Sequence, residues 1–431
     1  MLRASGTPLL RVVCTKRAFS SSVRREKPRL VILGSGWGGY EVLRGVDKKR
    51  WDVVLVSPNN YFNFTPLLAG CAVGTLEFRC AIEPVRRYSP AATMYQAWCD
   101  KIGTLPKQNI RMRTPIPSSP HNQHSYGLYL PQMPATKSFA VESSGDTAYD
   151  HQISTTNSET GKTFPLKYDT LVISVGAYSQ TFGIPGVKEH AHFLKDVRDA
   201  RAIRSRILEC FEIANQPTLS DTERRQLLNF CVVGGGPTGV EFAAELHDLV
   251  HDEIWKYYPS LAKLVRINLY DVAPKILGTF DQNLVQYTEK TFRREGINVL
   301  TSHHVDRVEA GKLHIKEQGE VHFGLLVWAT GLLQNPLIES IAELKKHPKT
   351  KSVIVNEHLN ALKTDGSSDA DIFVIGDAAS VESAPLPATA QVANQQAKYL
   401  YKKLNKIIKD QPAEKPFEFH NQGSLAYIGN W

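Results

Sequence analysis

A glycine-rich turn that follows an apolar run and opens a helical pattern occurs twice in this chain, about two hundred residues apart. The first, RLVILGSGWGGY, spans residues 29–40, and the second, FCVVGGGPTGVE, spans 230–241. Both read G-x-G-x-x-G, through Gly34, Gly36 and Gly39 and again through Gly234, Gly236 and Gly239. The first glycine of such a motif permits the tight turn. The second lets backbone approach a pyrophosphate, and the third lets helix pack closely on strand. The phosphates then meet the positive end of the helix dipole. One motif alone also fits a plain strand–helix turn. Two, each in strand–turn–helix context, point to two dinucleotides held by one chain, an arrangement suited to electron transfer between cofactors.

The rest of the pattern is α/β. Strands are expected at 29–33, 51–56, 167–175, 229–233, 265–272, 324–330 and 371–375, with helices from 38, over 193–211 and over 238–258. Strands alternating with helices predict parallel sheets, here in two Rossmann-like dinucleotide-binding domains. Segment 105–164 is rich in Ser, Pro, Thr, His and Asn with little periodicity, so it predicts an insertion or an irregular β-rich crossover. Residues 398–409, KYLYKKLNKIIK, place Lys398, Lys402, Lys403, Lys406 and Lys409 on one helical face and Leu400, Leu404, Ile407 and Ile408 on another. Such a helix is either an ordinary surface helix or one drawn to anionic lipid headgroups.

Charge and cysteine usage exclude several functions. Of the net charge of +8, most lies in residues 1–27, where seven basic residues face one acid, Glu26. The body is nearly neutral, which argues against a nucleic-acid partner. The N-terminal stretch is rich in Arg and Ser and poor in acid, and it reads as a mitochondrial transit peptide. A plain basic tail is the alternative. No run approaches the roughly 18 apolar residues of a spanning helix, so the chain cannot by itself be a transmembrane pump. The six cysteines include no C-x-x-C pair, so a redox dithiol or zinc ribbon is not expected, nor is any metal site.

Particular side chains suit dinucleotide chemistry. Asp271 ends the strand after the second turn, where a carboxylate accepts from both ribose hydroxyls of NADH and repels the 2′-phosphate of NADPH. Lys275 nearby could soften that preference. At the equivalent place in the first unit stands Ser57. Asp377, in DIFVIGDAA, could accept from a polyhydroxyl chain such as ribitol, or simply cap the next helix. Glu241 lies near the second nucleotide, and Glu245, one turn on, reads as helix surface.

Together these segments resemble the mitochondrial type II (alternative, rotenone-insensitive) NADH:ubiquinone oxidoreductases of fungi and plants. The resemblance is carried by LGSGWGGYEVLRGVD, by residues 57–86 with NYFNFTPLLAG, by VVGGGPTGVEFAAEL, WATG, FVIGDAA, ATAQVANQQAKYL and GSLAYIG. It covers most of 29–431, and 105–164 least. It implies FAD in the first domain, with Gly34, Gly36 and Gly39 on its pyrophosphate, Asp377 on its ribityl chain and Thr65 near the isoalloxazine. It implies NADH in the second, held by Gly234, Gly236, Gly239 and Asp271, with Glu241 at the nicotinamide–flavin contact. Gln391 and Asn394 would line a ubiquinone pocket. Two positions depart from the family pattern. Gln396 stands where an acid is common, and Asn394 where some members have His. The domains expected are a transit peptide (1–27), an FAD domain (28–190 and 320–410) and an NADH domain (191–319). Residues 411–431 would begin a C-terminal region whose membrane-binding helices the sequence lacks. A peripheral place on the mitochondrial inner membrane and a homodimer are further implications. The alternative is an NADH-binding flavoprotein of signalling or scaffold type without quinone turnover.

Overall fold

Two five-residue segments set the frame. Arg29–Leu33 and Asn229–Val233 each leave only their first residue partly exposed and bury the other four. A strand apolar on both faces needs cover on both faces, as in a parallel sheet flanked by helices. The computed structural model describes residues 27–88, 90–103, 152–158, 160–383, 385–413 and 415–430, so the expected transit peptide falls almost wholly outside the described residues.

Arg29–Leu33 sits near the middle of a ten-stranded sheet. Its five central strands run parallel, in the order Ser368–Val374, Thr170–Ile173, Arg29–Leu33, Asp52–Ser57 and Thr93–Gly103. Asn229–Val233 lies at the centre of a separate five-stranded parallel sheet, between Leu325–Trp328 and Arg266–Tyr270. Its outer strands are His192–Phe193 and Ile297–Leu300. The expected strands are all present, shifted by a few residues at most of their ends. One expectation is corrected. Leu325–Trp328 pairs in register with the second glycine strand (Phe230 opposite Leu325), so the second unit extends past the boundary drawn at 319. A fully buried strand of that kind belongs to whichever sheet covers it.

Two other readings change. The helix expected over 238–258 runs regularly over Pro237–Leu249, widens to a π-turn over Val250–Ile254 and closes at Trp255–Tyr257. Pro259 follows, and the residue before a proline is steered out of helical conformation. Segment 105–164 lies outside the described residues up to 151. Its end forms antiparallel strands, Gln152–Asn157 and Thr163–Lys167, that extend the large sheet. The helix Ala390–Ile407 packs on the first glycine helix, Trp37–Gly45. Asn405 clips the two together, accepting from Asp47 N–H at 2.8 Å and donating to Gly45 O at 2.9 Å. Leu400 and Leu404 are buried in that contact, and Lys403 donates to His358 O and Asn360 Oδ1. Leu400, Leu404 and Lys403 therefore serve the core, while Ile407 stays exposed, and the charged groups left outside are Lys398, Lys402, Lys406 and Lys409.

Candidate active site

The two glycine turns are near copies in space. In each, the first glycine donates its N–H to the neighbouring strand at 2.8 Å, Gly34 to Val56 O and Gly234 to Tyr270 O. Both lie in the left-handed region, at φ +96° and +118°, where a side chain is strained. The third glycines pack against the first. A Cβ on Gly39 would lie 1.9 Å from Gly34 O, and one on Gly239 the same distance from Gly234 O. At Gly36 and Gly236 the outcome is opposite, because a Cβ there would meet nothing within 4 Å. Both are helix N-caps without a side-chain cap, so the first helical N–H groups face that open space. Tight packing at the outer glycines and room at the middle one suit a pyrophosphate at each turn.

The surroundings differ. Beside the first turn the Ser35 and Ser57 hydroxyls are 2.9 Å apart, both buried, and Ser35 also donates to Tyr61 O at 2.8 Å. Ser35 thus ties the turn both to Ser57 and to the NYFNF loop. The aromatic rings of that loop gather on the glycine helix, with Phe62 stacked on Tyr40 at 4.7 Å and Phe62 and Phe64 each 5.1 Å from Trp37. The exposed Thr65 accepts from Trp37 Nε1 at 3.1 Å. Across the sheet, Gly376 N–H donates to the buried Gln396 Oε1 at 2.7 Å, which fixes the turn carrying Asp377. Burial raises the Asp377 carboxyl above its usual range, and the charge of Lys195 opposes that rise.

At the second turn Asp271 uses both oxygens on backbone, accepting from Gly235 N–H and, at 2.6 Å, from Ala273 N–H. It braces the turn. Lys275 is directed to Gln282 Oε1 at 2.8 Å. Glu241 is half-buried. Desolvation and, secondarily, the nearby Glu245 charge push it up to about 7, while a long bond from Tyr427 N–H (3.4 Å) pulls it down. Glu245, read from sequence as helix surface, instead accepts from Thr75 Oγ1 at 2.9 Å and lies against Gly70. The helix Leu68–Val73, which follows Thr65, is thereby pinned to the second glycine helix. This contact joins the two units.

Gln391 and Asn394 lie on the helix Ala390–Ile407, both partly buried. The Gln391 amide is engaged by the closing segment, donating to Gly423 O at 2.9 Å and accepting from Gln422 N–H at 3.1 Å. Gln395 repeats this with His420, at 2.8 and 3.0 Å. The segment continues to Tyr427, whose hydroxyl donates to Asp248 at 2.6 Å, so it straps the closing helix to the second glycine helix. Sequence reasoning missed Lys195 and Gln334, which lie by Asp377, and Asn63, which donates to the Lys195 carbonyl. Lys195 reads there as one charge among many in FLKDVRDARAIR.

No metal-ligand cluster occurs among the described residues. Five cysteines are described, all unpaired, and Cys71, Cys210 and Cys231 are fully buried. The first glycine helix carries no cysteine, although residues 28–397 match the family model for pyridine nucleotide-disulphide oxidoreductases. The chain is 37% identical to a probable NADH dehydrogenase of Dictyostelium discoideum, over 94% of this chain and 79% of that protein. It is 34% identical to the external alternative NADH-ubiquinone oxidoreductase, mitochondrial, of Yarrowia lipolytica, over 94% and 70%. Against the external alternative NAD(P)H-ubiquinone oxidoreductase B1 of Solanum tuberosum it is 37% identical over 83% of this chain, which spans 56% of that longer relative. Among solved structures, NDH2 of Plasmodium falciparum in complex with NADH superposes with a TM-score of 0.79 at 27% identity, over 94% of this chain and 89% of that one.

Proposed function

Because the chain belongs to the pyridine nucleotide-disulphide oxidoreductase family, and within it to the alternative NADH dehydrogenases, we propose that it is a non-proton-pumping, FAD-dependent NADH:ubiquinone oxidoreductase. The observation that carries this reading is the pair of open glycine turns joined through Thr75 and Glu245. Bound flavin supplies acceptance of a hydride from NADH and delivery of two electrons to the quinone.

The chain's own residues bind, orient and hold protons. Gly34, Gly36 and Gly39 receive the FAD pyrophosphate, and Asp377, steadied by Gln396, takes the ribityl hydroxyls. The Trp37, Phe62 and Phe64 rings exclude water from that side, with Thr65 at the rim. Gly234, Gly236 and Gly239 receive the NADH pyrophosphate. Asp271, braced by two backbone N–H groups and with Lys275 turned to Gln282, selects NADH over NADPH. Glu241, raised to about 7, sits at the nicotinamide side and holds a proton near neutral pH. Gln391 and Asn394 belong to the quinone side, where the closing segment already contacts Gln391.

The place of action is the mitochondrion, as the names of the relatives state. We assign residues 1–27 to targeting and the enzyme to the inner-membrane surface, with Lys398, Lys402, Lys406 and Lys409 as the exposed basic edge. None of the described helices is long and apolar enough to cross a membrane. The NADH-binding unit is drawn as 191–328, with FAD held by 28–190 and the stretch from there to 410. Association as a homodimer is read by light scattering. Steady-state assay of the purified chain with a short-tail ubiquinone tests the activity. Turnover with NADH well above that with NADPH is expected. Flavin binding without turnover would favour a scaffold protein.

A further inference from the structure

A chain of contacts links five distant segments, from Asn63 through Lys195, Ala177 and Gln334 to Asp377, and leaves polar atoms unsatisfied. The Lys195 ammonium donates to Ala177 O at 2.9 Å. Ala177 pairs in an antiparallel ribbon with Gln334, whose Nε2 donates to Asp377 O at 2.9 Å. The Lys195 carbonyl in turn accepts from Asn63 Nδ2 at 3.0 Å. The other ends of these two amides, Gln334 Oε1 and Asn63 Oδ1, are buried without a hydrogen-bond partner, and Gln334 is only 8% exposed. An orphaned buried acceptor is costly, so two of them, linked through Lys195 and Ala177 to Asp377, mark places for a ligand that brings its own donors. Burial lowers Lys195 from the ordinary lysine value, and Asp377 and Asp199 oppose it in favour of the ammonium.

We propose that Lys195 is a positioning residue that sets the charge of the flavin site, held by Ala177 O so that its ammonium faces the polar part of the flavin, with Asn63 Oδ1 and Gln334 Oε1 accepting from flavin N–H or hydroxyl groups. The inference rests on FAD as the ligand of the first turn and names a residue that no motif of the chain marks. The chemistry is complementary. A flavin offers imide N–H and ribityl hydroxyl donors to the two amide oxygens, and ring carbonyl acceptors to an ammonium. Two-electron reduction adds negative charge to the flavin, and a fixed cation in a water-poor site favours the reduced form.

The test uses full-length K195Q and K195R, each stripped of flavin and reconstituted with FAD. Gln keeps a donor for Ala177 O and removes the charge, and Arg keeps the charge. FAD uptake and the flavin midpoint potential are measured, neither of which requires quinone turnover. The expected result is a potential for K195Q below that of the wild type, uptake weaker by about tenfold (one charge-assisted hydrogen bond), and K195R close to wild type. Uptake by K195R but not by K195Q also supports a role for the charge. A K195Q protein with wild-type potential overturns the proposal, as does failure of both variants to take up flavin while the wild type succeeds. Failure of the wild type itself to take up FAD removes the flavin reading along with it.

Discussion

The two nucleotide units share a backbone and differ in how side chains dress it. Gly34, Gly36 and Gly39 superimpose in role on Gly234, Gly236 and Gly239, down to the same 2.8 Å bond to the neighbouring strand and the same 1.9 Å limit at the third glycine. Beyond the turns the likeness ends. The first unit closes its strand with a serine locked to Ser35 and surrounds the helix with Trp37, Tyr40, Phe62 and Phe64. The second closes with Asp271 and carries three carboxyls, Glu241, Glu245 and Asp248, on its helix. Backbone N–H groups and dipoles suffice for a pyrophosphate, which both cofactors have. Discrimination falls to the side chains at the strand end and along the helix, an aromatic enclosure on one side and acids on the other.

The middle glycines break this comparison most sharply. Both have φ near −75°, open to any residue, and empty space around the missing Cβ, so Gly36→Val and Gly236→Val should fold normally. The first is expected to lose FAD and all activity. The second should stay yellow yet fail to be reduced at NADH concentrations that reduce the wild type. Absorbance spectra and NADH titration separate the two. Next come Gly39→Ala and Gly239→Ala, where the added carbon meets backbone. Each should lose about 1–3 kcal/mol in a denaturant melt, whether or not ligand is present. Asp271→Ala strands two backbone donors, at about 1–3 kcal/mol, and should raise KM for NADH while narrowing the gap to NADPH. Ser57→Ala removes one hydroxyl contact, should cost about 1 kcal/mol and should leave the NADH/NADPH ratio unchanged.

Smallest is the effect of pH at Glu241. Its folded pKa of about 7 exceeds the ordinary 4.5, so the folded state holds an extra proton between those values. The contribution of this group to stability therefore falls as pH rises through that window. Glu241→Gln abolishes the titration, so Tm of the variant relative to wild type should increase from pH 5 to pH 8. A difference independent of pH would place the carboxyl in water. The matching helix position in the first unit is Glu41, which pairs with Arg44 at 3.6 Å.

What could be read in advance followed the range of each interaction. Asn229–Val233 is fixed by a local apolar run, and the glycine spacing by local geometry, so both stood in the sequence. The strand Leu325–Trp328 was visible, but its sheet was not, because pairing with Phe230 is settled by tertiary cover. Glu245 looked like surface because its partner, Thr75, is far away in the chain. For the same reason the chain of contacts from Asn63 through Lys195, Ala177 and Gln334 to Asp377 gives no local signal. The basic face of 398–409 was legible, yet the burial of Leu400 and Leu404 depended on the docking of Gly45 and Asn405. Resemblance named Gln391, while the clip to Gln422 and Gly423 emerges only when the closing segment folds back.

The central claim is that the two turns hold FAD and NADH for electron transfer to a quinone. Anaerobic mixing of the flavin-loaded protein with one equivalent of NADH, then with excess short-tail ubiquinone, tests it most directly at the flavin absorbance band. The account predicts prompt bleaching by NADH and full recovery on adding quinone. Protein that stays colourless after incubation with FAD, or flavin that bleaches and does not recover, would contradict it.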